Sequence, residues 1–142
     1  MDDMTALHTL TVAALMTPDP VVIHIDTAAT EIAEALAQAD ISGAPVVDGA
    51  GFVVGVVSQT DLVRAAAARA GRGNGWQGLT ARHLMSPHAV TVREDTSVME
   101  AARRMEVHGI HRVIVLDSEG ARAVGVISMS DLLPLLVDAA GT

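Results

Sequence analysis

LMTPDPVVIHIDTAATEIAEALAQADISGAPVVD, residues 15–48, returns as LMSPHAVTVREDTSVMEAARRMEVHGIHRVIVLD, residues 84–117. Leu15, Met16, Pro18, Asp26, Thr27, Glu31, Ile41 and Asp48 recur as Leu84, Met85, Pro87, Asp95, Thr96, Glu100, Ile110 and Asp117. Past the Asp48 and Asp117 turns the second copy carries one extra residue. GVVSQTDL (55–62) then matches GVISMSDL (125–132). Internal similarity at this spacing means two copies of one supersecondary unit.

Each copy reads as βαββα, so the fold class is α/β (α+β). A short apolar run, 21–25 or 90–92, is a strand candidate. The Asp26-Thr27 and Asp95-Thr96 pairs read as helix caps. The helices that follow show apolar spacing at Ala29, Ala33, Leu36 and at Val98, Ala102, Met105. Gly43 and Gly109 read as helix exits. Two β-branched runs, 44–47 with 52–57 and 113–116 with 123–127, are joined by DGAG and DSEG turns suited to a hairpin. A last helix follows each Ser-x-x-Asp, with Pro134 placed near the start of the final one. The expected organisation is an extension at 1–11, a first repeat at 12–66, a linker at 67–80 and a second repeat at 81–142. The linker begins helical and passes into GRGNG, read as a flexible connector because it lacks the Lys-Ser/Thr of a phosphate loop. Trp76 is expected to pack back onto the body.

Composition narrows the function. Half of the 142 residues are hydrophobic, enough for a core with apolar surface to spare. The net charge of -8 disfavours nucleic acid, and Phe52 and Trp76 are the only aromatics on which bases could stack. Absence of cysteine excludes disulfides, thiolate catalysis and Cys-type zinc sites. It suits a cytoplasmic protein. Neither a signal peptide nor a membrane span is expected.

The Ser-x-x-Asp endings are the first binding candidates: Ser128, Ser130 and Asp131, with Ser58, Thr60 and Asp61 as the matching set. An ionised Asp at a helix start can accept both hydroxyls of a ribose, and the exposed N–H groups there favour an anion. The same pattern is equally a capping box, with Ser capping and the acid reaching back. Local sequence slightly favours that simpler account. His111 and Arg112 come next. Arg112 offers a rigid fork of donors that fits phosphate oxygens, and His111 adds a ring donor. The alternative is a solvated strand edge, or Arg112 paired with Asp117. Thr17 and Ser86, each between Met and Pro, can bond a base or sugar or simply shape a turn. No metal or catalytic residue is expected. Gly109 interrupts His108 and His111, and no serine has a G-x-S-x-G context.

The repeated Met-Thr/Ser-Pro, the strand after Gly43 or Gly109, and the Gly-x-x-Ser-x-x-Asp ending together resemble the CBS (cystathionine β-synthase) domain family, here as a tandem pair or Bateman module. EVHGIHRVIVLD with GVISMSDLL is similar to the nucleotide-binding repeats of the AMP-activated protein kinase γ subunit. The resemblance implies two repeats packed about a pseudo-two-fold axis with two clefts for adenosine compounds: AMP, ADP or ATP, with S-adenosylmethionine behind them. It also implies that Asp131 and Asp61 hold ribose, that His111 and Arg112 hold phosphate, and that backbone near 21–24 and 91–93 meets adenine. Ser42 and Gly43 stand where the cation pair would be in the first copy. Phosphate is therefore expected in the Asp131 cleft first, with the Asp61 cleft empty or holding an uncharged nucleoside.

The expected function is a regulatory sensor with no required cofactor and no catalysis. It would be a homodimer built on the apolar faces Leu62, Val63, Ala66 and Leu132, Leu133, Leu136, and would act on a regulated protein that the sequence does not name. The alternative is a dimerisation or docking module with empty clefts.

Overall fold

The computed structural model describes residues 5–71, 75–87 and 90–141. The connector reading of GRGNG rests on residues 72–74, which lie outside the described residues. In chain order the elements are α1 (Thr5–Thr9), a 3-10 turn (Val12–Ala14), β1 (Thr17–Pro18), β2 (Ile23–His24), α2 (Ala29–Ala39), β3 (Gly43–Val47), β4 (Val53–Ser58), α3 (Gln59–Ala68), α4 (Ala81–Leu84), β5 (Thr91–Arg93), α5 (Val98–His108), β6 (Arg112–Leu116), β7 (Ala123–Ser128) and α6 (Met129–Gly141). The fold is mixed α/β, with βαββα running twice.

The chain divides into two compact units, Val21–Ala89 and Met1–Pro20 joined with Val90–Thr142. In the first, β2 runs parallel to β3 and β3 antiparallel to β4. In the second, β5 is parallel to β6, β6 antiparallel to β7, and β1 joins the far edge antiparallel to β7. Strand side chains alternate between faces. Ala44, Val46 and Val57 turn to one face and share a core with Ile32, Leu36 and Leu62. Val113, Val115 and Ile127 do the same with Val98, Ala101, Met105 and Leu132. Each fully buried Val or Leu contributes roughly 1.5–3 kcal/mol.

The compact units do not coincide with the sequence repeats. Each repeat hands its leading Met-Thr/Ser-Pro segment to the other repeat's sheet. Thr17 lies opposite Val126 and Pro18 opposite Gly125. In the other unit, Ser86 N–H donates to Val56 C=O at 2.9 Å and Val56 N–H to Ser86 C=O at 3.0 Å. Two glycines permit the approach. A Cβ on Gly125 would lie 2.5 Å from Met16 Sδ, and one on Gly55 would lie 2.6 Å from the Ser86 carbonyl oxygen. The N-terminal stretch read as an extension also enters a core, with Leu7 6% and Val12 0% exposed.

Several local expectations are corrected. The Asp-Thr pairs do not cap helices. Thr27 and Thr96 close turns by donating their N–H to His24 and Arg93 carbonyls, and the helices start later, at Ala29 and Val98. Ser97 caps α5 by accepting from Glu100 N–H at 3.1 Å. The buried stripes are Ala29, Ile32, Leu36 and Val98, Ala101, Met105, while Ala33 and Ala102 lie at the margin. Pro134 is in the interior of α6 rather than at its start. It cannot donate to the Ser130 carbonyl, which loses its helical partner. Trp76 does pack back, donating Nε1–H to the Leu62 carbonyl at 3.1 Å.

Gly109 ends α5 in the left-handed region at φ 63°, but the exit of α2 is Asp40 at φ 54°, and Gly43 already belongs to β3. A side chain in that region costs about 1–2 kcal/mol, somewhat less for Asp. Asp40→Gly is therefore expected to stabilise the protein by about 1 kcal/mol. A raised denaturant midpoint would show it; an unchanged or lowered midpoint would refute it.

The β6–β7 hairpin is tied by Asp117, whose Oδ1 accepts from Ala121 N–H at 3.0 Å and Arg122 N–H at 3.4 Å. The Ala121 amide, foremost, followed by those of Arg122 and Gly120, holds its carboxyl below the ordinary 3.8. The anion is thus favoured by folding. Its stabilisation is present above pH 3.8 and is lost as pH falls through the lower folded value. In acid titrations the stability gap between wild type and Asp117→Asn should close below that pH. A gap that persists into strong acid would show that the charge is not its cause.

Candidate functional site

Each βαββα unit ends its central hairpin where a helix begins, so strand residues and helix-start residues meet at one edge. In the Met1–Pro20/Val90–Thr142 unit, Arg112 is directly opposite Ser128. Their side chains leave the sheet on the same face. Met129 N–H donates to the His111 carbonyl at 2.9 Å, drawing the start of α6 against the residue before β6. Thr17 stands opposite Val126, two positions before Ser128, and so shares that face. The structure brings together Thr17, His111, Arg112, Ser128, Ser130 and Asp131. The Val21–Ala89 unit repeats the arrangement with Gly43 opposite Ser58, Gln59 N–H donating to the Ser42 carbonyl at 2.8 Å, and Ser86 beside Val56. Thr60 and Asp61 follow on α3. Thr17 thus sits with Asp131 and Ser86 with Asp61, an exchange the repeat pattern does not reveal.

The capping-box geometry expected from local sequence is present in both copies. Asp131 Oδ2 accepts from Ser128 N–H at 2.7 Å and Ser128 Oγ–H at 3.1 Å, while Asp131 N–H donates to Ser128 Oγ at 3.3 Å. Asp61 and Ser58 match this at 2.8, 3.0 and 3.2 Å. Among the described residues, the other oxygen of each carboxylate, Oδ1, has no hydrogen-bond partner. The carboxylates are held in place by the cap and keep acceptor capacity on Oδ1. Capping and ligand acceptance are compatible roles for the same side chain.

His111, Arg112, Thr17, Ser86, Thr60 and Ser130 are exposed, and the two Ser–Asp pairs are half-buried. Arg112 has no ion pair among the described residues. Asp117, its alternative partner, accepts from its own loop instead. A free guanidinium beside a hydroxyl and a helix N-terminus can bind an oxyanion. On the other unit a shallow, open depression of the surface is lined by Gln59, Thr60, Val63 and Arg64, all on α3. Gln59 and Arg64 escaped the sequence reading because their counterparts in the second copy, Met129 and Pro134, share no chemistry with them. Among the described residues no group of three or more His, Asp or Glu is arranged to hold a metal. None of the helices is long and apolar enough to cross a membrane, again among the described residues.

With this geometry in place, comparison assigns the class. The chain belongs to the CBS domain family, whose model matches residues 12–68 and 81–138. It is 31% identical to a CBS domain-containing protein of Dictyostelium discoideum over 132 residues, covering 89% of this chain and 90% of that one. It is 30% identical over 105 residues to a protein of Methanopyrus kandleri, covering 74% of this chain and 52% of the relative, about half its length. Among solved structures it is similar to CBSX2 of Arabidopsis thaliana in complex with AMP, at 26% identity and a TM-score of 0.76, covering 92% of this chain and 98% of that one. It is also similar to the CBS domain pair of protein MJ0100 in complex with 5'-methylthioadenosine and S-adenosyl-L-methionine, at 27% identity and a TM-score of 0.73, covering 89% and 95%.

Proposed function

We propose that the chain is a regulatory sensor module that binds an adenine nucleotide, AMP, ADP or ATP, and carries no catalytic activity of its own. The observation that carries this reading is the placing of Arg112 opposite Ser128 at the start of α6, next to Asp131 with its available carboxylate oxygen. The Asp supplies an acceptor for a ribose diol, and the Arg supplies a fork for phosphate. Adenosine compounds in the two similar structures support the ligand class. S-adenosylmethionine, which has no phosphate, would leave Arg112 without its role and ranks second. Affinity in the micromolar to millimolar range suits a sensor of metabolites in the cytoplasm, roughly -4 to -8 kcal/mol. A thermal-shift panel of AMP, ADP, ATP and S-adenosylmethionine tests the reading. Ligand at 100 times its Kd should add about 2.7 kcal/mol of stability. No shift with any of the four would remove it.

A second reading, a dimerisation or docking module, is favoured by one observation. Val63, Leu133, Leu136 and Val137 expose 66%, 56%, 40% and 60% of their surface, an apolar excess on α3 and α6. The two readings are compatible in a homodimer that also binds ligand. Sedimentation at tens of micromolar, an order-of-magnitude choice, would report a monomer if the homodimer is wrong.

A further inference from the structure

We propose that charge orients the homodimer, with the acidic face of α2 in one protomer set against Arg104 on α5 of a second copy. The proposal rests on the homodimer reading and names which helices meet in it. Its first support is Arg104 itself. The residue is half-buried, and its Nε is shielded from solvent with no hydrogen-bond partner among the described residues. Nor does Arg104 take part in an ion pair among them. A guanidinium stays charged, and a shielded N–H without an acceptor is costly. A carboxylate arriving from another chain would satisfy both.

The second support is the distribution of charge between the repeats. No Arg or Lys precedes Arg64, and every Lys/Arg position of the chain is an arginine. On α2, Glu31 and Glu34 are exposed, have no ion pair among the described residues and share their helix with no base. The α5 counterparts of Glu34 and Ala35 are Arg103 and Arg104. A dimer that paired α2 with α2 would set carboxylate against carboxylate. One that pairs α2 with α5 sets carboxylates against arginines, whose planar fork suits them at an interface. Two-fold symmetry makes this contact twice, since each protomer offers one α2 and one α5. Within their units α2 packs on α3 and α5 on α6. The charged helices therefore neighbour those that expose Val63 and Leu133, Leu136, Val137. Apolar burial would supply the affinity, and charge would choose the orientation.

The test is charge exchange in the full chain, read by sedimentation over a range of concentrations. The variants are Arg104→Glu, the α2 reversal Glu31→Arg with Glu34→Arg, and all three substitutions together. Wild type should be a dimer. Arg104→Glu and the α2 reversal should each weaken dimerisation roughly ten-fold, because each sets like charges against one another. The combined variant should recover the wild-type dimer, because it restores opposite charges with their places exchanged. In a dimer that pairs α2 with α2, the combined variant would instead recover nothing. A dimer untouched by the α2 reversal, or a combined variant no better than the single ones, would overturn this proposal and leave the homodimer reading standing. If Arg104→Glu does not fold, the α2 reversal on its exposed face decides alone: a weakened dimer supports the proposal and an unchanged one overturns it. A wild-type monomer would overturn the homodimer reading and this proposal with it.

Discussion

Arg112→Ala is expected to weaken AMP binding at the Asp131 site ten- to hundred-fold and to leave adenosine binding there unchanged. A charge-assisted hydrogen bond to phosphate contributes roughly 1.5–3 kcal/mol, and each 1.4 kcal/mol is about ten-fold in affinity. Arg112 is exposed and unpaired among the described residues, so its removal leaves no buried carboxylate stranded and folding should be unaffected. Exposure also means screening, so the loss should shrink as salt is raised. Asp131→Ala should differ in two respects. It should weaken AMP and adenosine alike, because both carry the ribose diol. It should also lower stability by about 1 kcal/mol, because Asp131 Oδ2 completes the cap with Ser128. Asp131→Asn separates these effects by keeping an acceptor for the cap while removing the charge. Calorimetry on these three variants and on Asp61→Ala decides. A silent Arg112→Ala beside equal losses from Asp61→Ala and Asp131→Ala would show that phosphate is not held from β6.

Gly125→Ala is expected to be among the most destabilising single-methyl additions in the chain. The new Cβ would sit 2.5 Å from Met16 Sδ and 2.8 Å from the Thr17 carbonyl oxygen. The methionine can swing away, but the carbonyl belongs to a strand that is hydrogen-bonded to β7. Relief therefore means lifting β1 from the sheet. Overpacking of this kind costs roughly 1–3 kcal/mol, a melting-temperature fall on the order of 5 °C for a chain of this size. Because Thr17 rides on β1, AMP binding at the Asp131 site should weaken along with stability. Gly55→Ala should do the same to the Ser86 segment, where the Cβ would meet the Ser86 carbonyl oxygen at 2.6 Å. Gly49→Ala is the control, since a Cβ there meets nothing within 4 Å. Equal melting temperatures for Gly125→Ala and Gly49→Ala would contradict the close approach.

The repeat, the βαββα order and the Ser-x-x-Asp caps were legible in the sequence because each is a local matter. Alternating Val and Ile in 112–116 and 123–128 suffices to specify a hairpin, and a Ser three residues before an Asp suffices to specify a cap. Helix starts were read one or two residues early. Asp26-Thr27 and Asp95-Thr96 have capping chemistry, yet the turn after each short strand consumes the Thr amides before the helix begins. Tertiary structure alone decided that Thr17 belongs with Asp131 and Ser86 with Asp61, because strand exchange depends on which sheet edge offers a glycine notch and not on neighbours in the chain. It also placed Gln59, Thr60, Val63 and Arg64 around one open depression on α3. Period and propensity act over a few residues, whereas a binding site gathers groups whose nearness is fixed by sheet register and by the space that glycine leaves.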